Sequence, residues 1–179
     1  QIKQKYPEVR FIVDGNRRRA MRYLLALPEE ERPEVVFLDD GFQHRYVQPS
    51  FSILLIDAQR ELHDDELLPL GGLREPATAR YRADCIILTK CPHDMQPIKL
   101  RIMQRNLDLY AHQKIFFSRI YYQQPRAVRT LFGEADSPLP KDALVIALSG
   151  IASPGLFFSY LDERYELIDQ LVYPDHHQF

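Results

Sequence analysis

An α/β fold with a mostly parallel sheet and flanking helices is what this sequence predicts, and three observations predict it. Short apolar runs end in polar residues at 35–40, 51–57 and 84–90, the pattern of interior strands whose polar ends meet solvent at one edge of a sheet. Helical spacing appears between and after them. Apolar residues fall at Ala20, Met21, Leu24, Leu25 and Leu27, and again at Ile98, Leu100, Ile102, Met103, Leu107 and Leu109. Beyond residue 136 the same alternation restarts on a smaller scale, with apolar 143–148, helical 154–161 and apolar 165–172. Strand, helix and strand in that order argue for α/β layers.

Taken in order, residues 8–13 read as a short strand, with Asp14, Gly15 and Asn16 turning out of it. The helix over 17–27 is ended by Pro28 and the acidic Glu29, Glu30 and Glu31. Val35, Val36, Phe37 and Leu38 then form a buried strand running into Asp39 and Asp40, and Gly41 lets the backbone turn. The 51–57 strand follows so closely that an antiparallel pair through a tight turn, or an intervening hairpin, is expected. Residues 59–80 lack periodicity and contain the loop 67–76, rich in Pro and Gly; a long segment of this kind inside a compact domain is usually functional. After the 84–90 strand, a helix over 96–110 carries Pro97 in its first turn. Segments 115–122 and 127–132 read as a two-stranded ribbon. The expected organisation is therefore a larger unit over 1–114, a linker over 115–135 and a smaller α/β unit over 136–179. In that last unit Ser153-Pro154 supplies an N-cap and first-turn pair.

Composition narrows the function classes. With 179 residues, 45% hydrophobic and 27% charged, the chain is an ordinary globular one, of one domain or one and a half. A formal net charge of −2 argues against a general nucleic-acid binder. Arg17, Arg18 and Arg19 cluster, and a solvated helix face is the favoured reading over an anion site. Two cysteines make neither a disulfide framework nor a zinc ligand set and fit a reducing cytosol. No apolar run approaches the ~18 residues that span a bilayer. The chain starts at Gln1 rather than Met and ends at Phe179 without a terminal element, so a fragment of a longer protein is expected.

The chemistry centres on 34–45. In open α/β sheets ligands bind beyond the carboxyl ends of the strands. An Asp there can hold Mg²⁺ through hard carboxylate oxygen, and the metal can hold nucleotide phosphates. Asp39 and Asp40 thus read as a Walker-B-like pair; adjacent strand residues point to opposite faces, so their roles should differ, and one could simply cap the turn. Gln43 and His44 sit at the mouth of the same crevice, where His44 is either catalytic or a satisfied structural residue. Arg74, in the long loop, has the planar fork that clamps phosphate oxygens, although Arg74 and Glu75 could instead make a local ion pair. Asp175, His176 and His177 could assist a base, ligate a metal or form a polar turn.

Five stretches together resemble the tetraacyldisaccharide 4′-kinases, the lipid A 4′-kinases of Gram-negative bacteria: 39–45 (DDGFQHR), 67–76 (LLPLGGLREP), 83–90 (ADCIILTK), 149–154 (SGIASP) with Phe157 and Phe158, and 175–179 (DHHQF). The resemblance implies a P-loop-type kinase that moves the ATP γ-phosphate to the 4′-hydroxyl of tetraacyldisaccharide 1-phosphate with Mg²⁺. It also implies a site at the cytoplasmic face of the inner membrane and a ribbon joining two domains. Asp39 and Asp40 then take the Mg²⁺ and acidic roles, and Gln43 and His44 line the site. Arg74 and Glu75 lie near the reacting phosphates or acceptor. His176, with Asp175, supports deprotonation of the acceptor hydroxyl.

The seven glycines supply no Gly-x-x-x-x-Gly-Lys-[Ser/Thr] loop to cradle phosphates, so the polypeptide by itself is expected to be inactive. Two rivals stand beside the kinase. A metal-dependent phosphohydrolase would use Asp39, Asp40 and the Asp175-His176-His177 triplet as a two-metal site. A non-catalytic nucleotide-binding scaffold is compatible with the missing phosphate loop.

Overall fold

The computed structural model describes residues 2–60, 65–125, 139–175 and 177. The chain divides into two compact units, Gln1–Arg119 and Ile120–Phe179. The expectations for 127–132 and most of 133–141, and for His176, fall partly or wholly outside the described residues.

The first unit opens with a single helical turn, α1 (Ile2–Lys5), followed by α2 (Arg17–Leu25). Asn16 caps α2, its side-chain oxygen accepting from the Arg19 amide at 3.2 Å, which satisfies one of the amides a helix start leaves open. Asp14 braces the cap. It accepts from the Asn16 amide at 2.8 Å and takes both arms of the Arg19 guanidinium at 2.7 and 2.8 Å. Arg17 donates to the Asp14 carbonyl, and Arg18 lies over the Tyr46 ring at 5.2 Å. All three arginines thus have local partners.

The Arg19 guanidinium, and next the Asn16 amide, hold the Asp14 carboxyl at about 2, below its ordinary 3.8. A carboxylate depressed on folding contributes stability that is complete above its unfolded value and lost as pH falls toward 2. An NMR titration should therefore place the Asp14 midpoint near 2. In an Arg19→Ala variant the midpoint should move back up toward the ordinary carboxylate value; no movement would contradict the assignment.

Three parallel strands form the centre of this unit: β1 (Ile53–Asp57), β2 (Cys85–Thr89) and β3 (Lys114–Phe117), in that spatial order. Between the last two lies α3 (Pro97–Asn106), with Pro97 in its first turn. Register sets Leu54 beside Ile86 and Ile115, and Leu55 beside Ile87 and Phe116. Period-2 alternation then sorts the faces. Ile56, Ile86 and Leu88 point into a core that Leu100 and Met103 of α3 pack against, together with Leu107, Met95 and Cys91. On the opposite face Leu55 and Phe116 remain more than half exposed. Gln113, buried at the entry to β3, donates to the carbonyls of Arg80 and Ala83 at 2.9 and 2.6 Å and accepts from the Tyr110 amide at 3.0 Å. A buried amide with every such bond made is a rigid tie rather than a cost.

Several expected strands are not there. Residues 10–13 and 35–38 join no strand ladder among the described residues, residues 7–9 instead turn back after α1 with the Val9 amide donating to the Tyr6 carbonyl at 3.2 Å, and Val35 and Phe37 are exposed. A strand needs a neighbour to take its N–H and C=O groups, and no ladder among the described residues includes either stretch. The antiparallel pairing of 35–40 with 51–57 fails for the same reason: among the described residues β1 pairs only with β2, and in parallel. Residues 114–117 are the third strand of this sheet rather than one arm of a ribbon.

The second unit holds β4 (Leu144–Ser149), α4 (Gly155–Asp162) and β5 (Glu166–Val172). β4 and β5 pair in parallel, and Ala147, Phe158 and Leu161 make the core beneath α4. Pro154, not Ser153, takes the N-cap position, and no side chain caps that helix. Tyr122 stacks on Tyr160 at 4.8 Å between centroids, and the Tyr160 hydroxyl donates to the Gln123 carbonyl at 3.1 Å.

Candidate active site

The polar ends of β1 and β2 meet at one edge, as a parallel sheet requires. Asp57 closes β1 level with Thr89 of β2. The next residue, Lys90, turns back in the left-handed region (φ 56°) and sets its Nζ 2.6 Å from Asp57 Oδ2. The other Asp57 oxygen accepts from the Gln59 amide at 2.9 Å. A cavity of about 300 Å³ runs along β1 from Leu54 to Asp57 and is lined also by Gln43, Leu73, Arg74, Glu75 and Arg80.

Two segments far apart in sequence come together there. Arg74 Nη1 donates to both oxygens of Asp40, at 2.9 and 2.7 Å. Asp40 stands in the left-handed region (φ 47°), a conformation that Asp and Asn tolerate better than other side chains. Gly41 is tightly placed, since a Cβ there would come 2.8 Å from that of Leu38. The chain then closes a turn, the His44 amide donating to the Gly41 carbonyl at 3.0 Å.

A second tie runs beneath the first. Glu75, mostly buried, accepts from Arg82 Nη2 at 2.6 Å and lies 3.7 Å from Arg45. The same Arg82 nitrogen donates to the Phe42 carbonyl at 3.1 Å, and the guanidinium sits over the Phe42 ring at 4.5 Å. The loop before Arg74 is closed on itself. The Leu68 amide donates to the Leu73 carbonyl and the Leu73 amide to the Glu66 carbonyl, both at 2.9 Å, and Asp65 accepts from the Gly72 amide at 2.8 Å. That amide, joined by the charge of Arg60, lowers the Asp65 pKa. Gly71 packs so closely on the Glu66 backbone that a Cβ would collide with it.

The expected site residues divide accordingly. Asp40, Gln43, Arg74 and Glu75 converge on one edge of the first unit. Glu75 is engaged by arginines rather than open to a ligand. His44 is half-buried and does not line the cavity. Asp39 is exposed, and its carboxylate pairs with none of the described residues. Asp175 belongs to the second unit, where it is exposed in a turn closed by the His177 amide donating to Pro174 at 3.1 Å, with His177 stacked on Tyr173.

Mg²⁺ takes hard oxygen donors, keeps several waters and needs only one or two protein carboxylates. Asp39 fits that demand. Asp40 fits it less well, because a guanidinium already occupies both its oxygens. Among the described residues no three His, Cys, Asp or Glu side chains gather as a metal-binding group.

Asp57, Lys90 and Arg82 are not among the site residues that the sequence nominates. For the first two a signal existed: each stands at the polar end of an apolar run, and parallel pairing puts such ends side by side. Arg82 had none, since its partners are set only by the tertiary path of the chain.

Comparison with known proteins agrees over the whole length. The family described as tetraacyldisaccharide-1-P 4′-kinase matches residues 1–179. A tetraacyldisaccharide 4′-kinase of Porphyromonas gingivalis is 50% identical over 179 residues, covering 100% of this chain and 49% of that protein. Relatives of the same name from Parabacteroides distasonis and Flavobacterium johnsoniae are 45% and 35% identical, again over 100% of the chain, and 49% and 51% of each of them is covered. The chain thus spans about half the length of the curated relatives it matches. No solved structure gives a significant match.

Proposed function

Since the chain belongs to the tetraacyldisaccharide-1-P 4′-kinase family, we propose that it forms part of an enzyme that transfers the ATP γ-phosphate to the 4′-hydroxyl of tetraacyldisaccharide 1-phosphate in lipid A biosynthesis. The observation that carries this is the Arg74–Asp40 contact, which joins two separate motifs next to the cavity along β1. Phosphoryl transfer leaves little covalent chemistry to the protein, so positioning and charge stabilisation dominate. Asp40 holds the Arg74 guanidinium through one nitrogen, leaving its other N–H donors for anionic oxygens on phosphate. Asp39 would hold Mg²⁺, which supplies charge neutralisation on the transferring phosphate. Gln43, on the same rim, orients a polar group of the substrate, with His44 supporting it from the turn. Asp175 and His176 are assigned to deprotonation of the acceptor hydroxyl. Nothing about the net charge calls for nucleic acid, and the working place proposed is the cytoplasmic face of the inner membrane. No helix among the described residues is long and apolar enough to cross a bilayer.

Two preparations test this. The full-length protein with ATP, Mg²⁺ and the lipid acceptor should transfer radiolabelled phosphate to the disaccharide. Residues 1–179 by themselves should not, for want of a phosphate-cradling glycine loop. Absence of transfer by the full-length protein would overturn the assignment, and transfer by 1–179 would overturn the incompleteness of the site.

A further inference from the structure

We propose that Arg82 is a positioning residue for this reaction, acting through Phe42 and Glu75 rather than on substrate. The proposal rests on the kinase reading above and deepens it.

Three contacts from one side chain carry it. A single Arg82 nitrogen donates to the Phe42 carbonyl at 3.1 Å and to Glu75 Oε2 at 2.6 Å, while the guanidinium lies 4.5 Å from the centre of the Phe42 ring. Phe42 is two residues beyond Asp40, and Glu75 directly follows Arg74. Arg82 therefore ties the backbone at Phe42 to the Glu75 side chain, linking the two segments whose Asp40 and Arg74 side chains meet. The Asp40–Arg74 pair itself is exposed, 70% and 60% by side chain, and an exposed pair holds its own geometry weakly. The Glu75 carboxylate beneath it is only 16% exposed, and a charge-assisted bond there is stronger and more directional. Arg45 adds a second cation 3.7 Å from the other Glu75 oxygen, so the 39–45 turn is held to the Glu75 segment at two points. Positional error is what such a tie prevents: about 1 Å of misplacement can cost on the order of 10²-fold in rate.

Because one nitrogen makes both polar contacts, the proposal has a distinctive consequence. A lysine ammonium carries three donors and keeps a cation over the ring, so Arg82→Lys should preserve the tie in large part, whereas Arg82→Gln should not. In the full-length protein, Arg82→Gln is expected to lower kcat by about 10- to 100-fold. KM for ATP and for the lipid should stay within about threefold, as for a residue that touches neither. Arg82→Lys should recover most of kcat, and Glu75→Gln, which weakens the same tie from the other end, should lower kcat in the same direction. Unchanged kcat in Arg82→Gln overturns the proposal. So does a loss that follows falling thermal stability and is not recovered by lysine, which marks a role in folding only. The wild-type reaction run alongside separates the two ideas: transfer by wild type with an indifferent Arg82 leaves the kinase reading intact, whereas absence of transfer by wild type removes its premise.

Discussion

Arg74→Ala in the full-length protein is expected to lower kcat by about 10²–10³-fold, the usual effect of removing one donor aimed at developing charge, while changing stability by less than about 1 kcal/mol. The two halves of that expectation come from the same contact. Arg74 and Asp40 are 60% and 70% exposed, so water solvates both charges in the folded state and the pair adds little to folding. Phosphate oxygens in a closed, drier site would make far more of the same guanidinium. Steady-state kinetics beside thermal melts decide the matter. A variant that loses stability in step with activity would return Arg74 to a local ion pair. Arg74→Lys should recover only part of the rate, because an ammonium lacks the planar fork.

The second large effect lies in the core. Ile86 is fully buried in β2, between Leu54 and Ile115 in register. Ile86→Ala removes several carbons from a close-packed site and should cost about 2–5 kcal/mol. Leu55→Ala, one strand away but 63% exposed on the opposite face, should cost less than about 1 kcal/mol. Urea unfolding of the two variants against wild type measures the contrast. Similar losses in both would mean that the open face of the sheet is covered in solution.

The contrast also shows where sequence reasoning stops. β1 and β2 were legible because each is a short apolar run with a polar end, and α2 and α3 because their apolar residues repeat at helical spacing. Val35, Val36, Phe37 and Leu38 carry the same signal as β1, yet join no ladder among the described residues, because a strand is defined by a neighbour and composition cannot say whether one is present. The antiparallel expectation failed on a related point. A short connection between 40 and 51 constrains partners only if both segments are strands. The β-rich composition of 115–122 suggests a ribbon arm, but the register of 114–117 against β2 is a tertiary choice. At the site, Asp40, Gln43 and Arg74 could be nominated from residue chemistry. That Glu75 faces Arg82 and Arg45 instead of a ligand could not, since those partners are set by folding rather than by spacing.

The backbone at Asp40 has a further consequence for any effort to redesign this edge. Its left-handed φ of 47° favours short amide or acid side chains, while its contact with Arg74 demands negative charge. Asparagine would suit the turn but give up the attraction, and glutamate would keep the charge at the expense of the turn. The two substitutions thus pull apart shape and electrostatics at one position, and aspartate alone satisfies both.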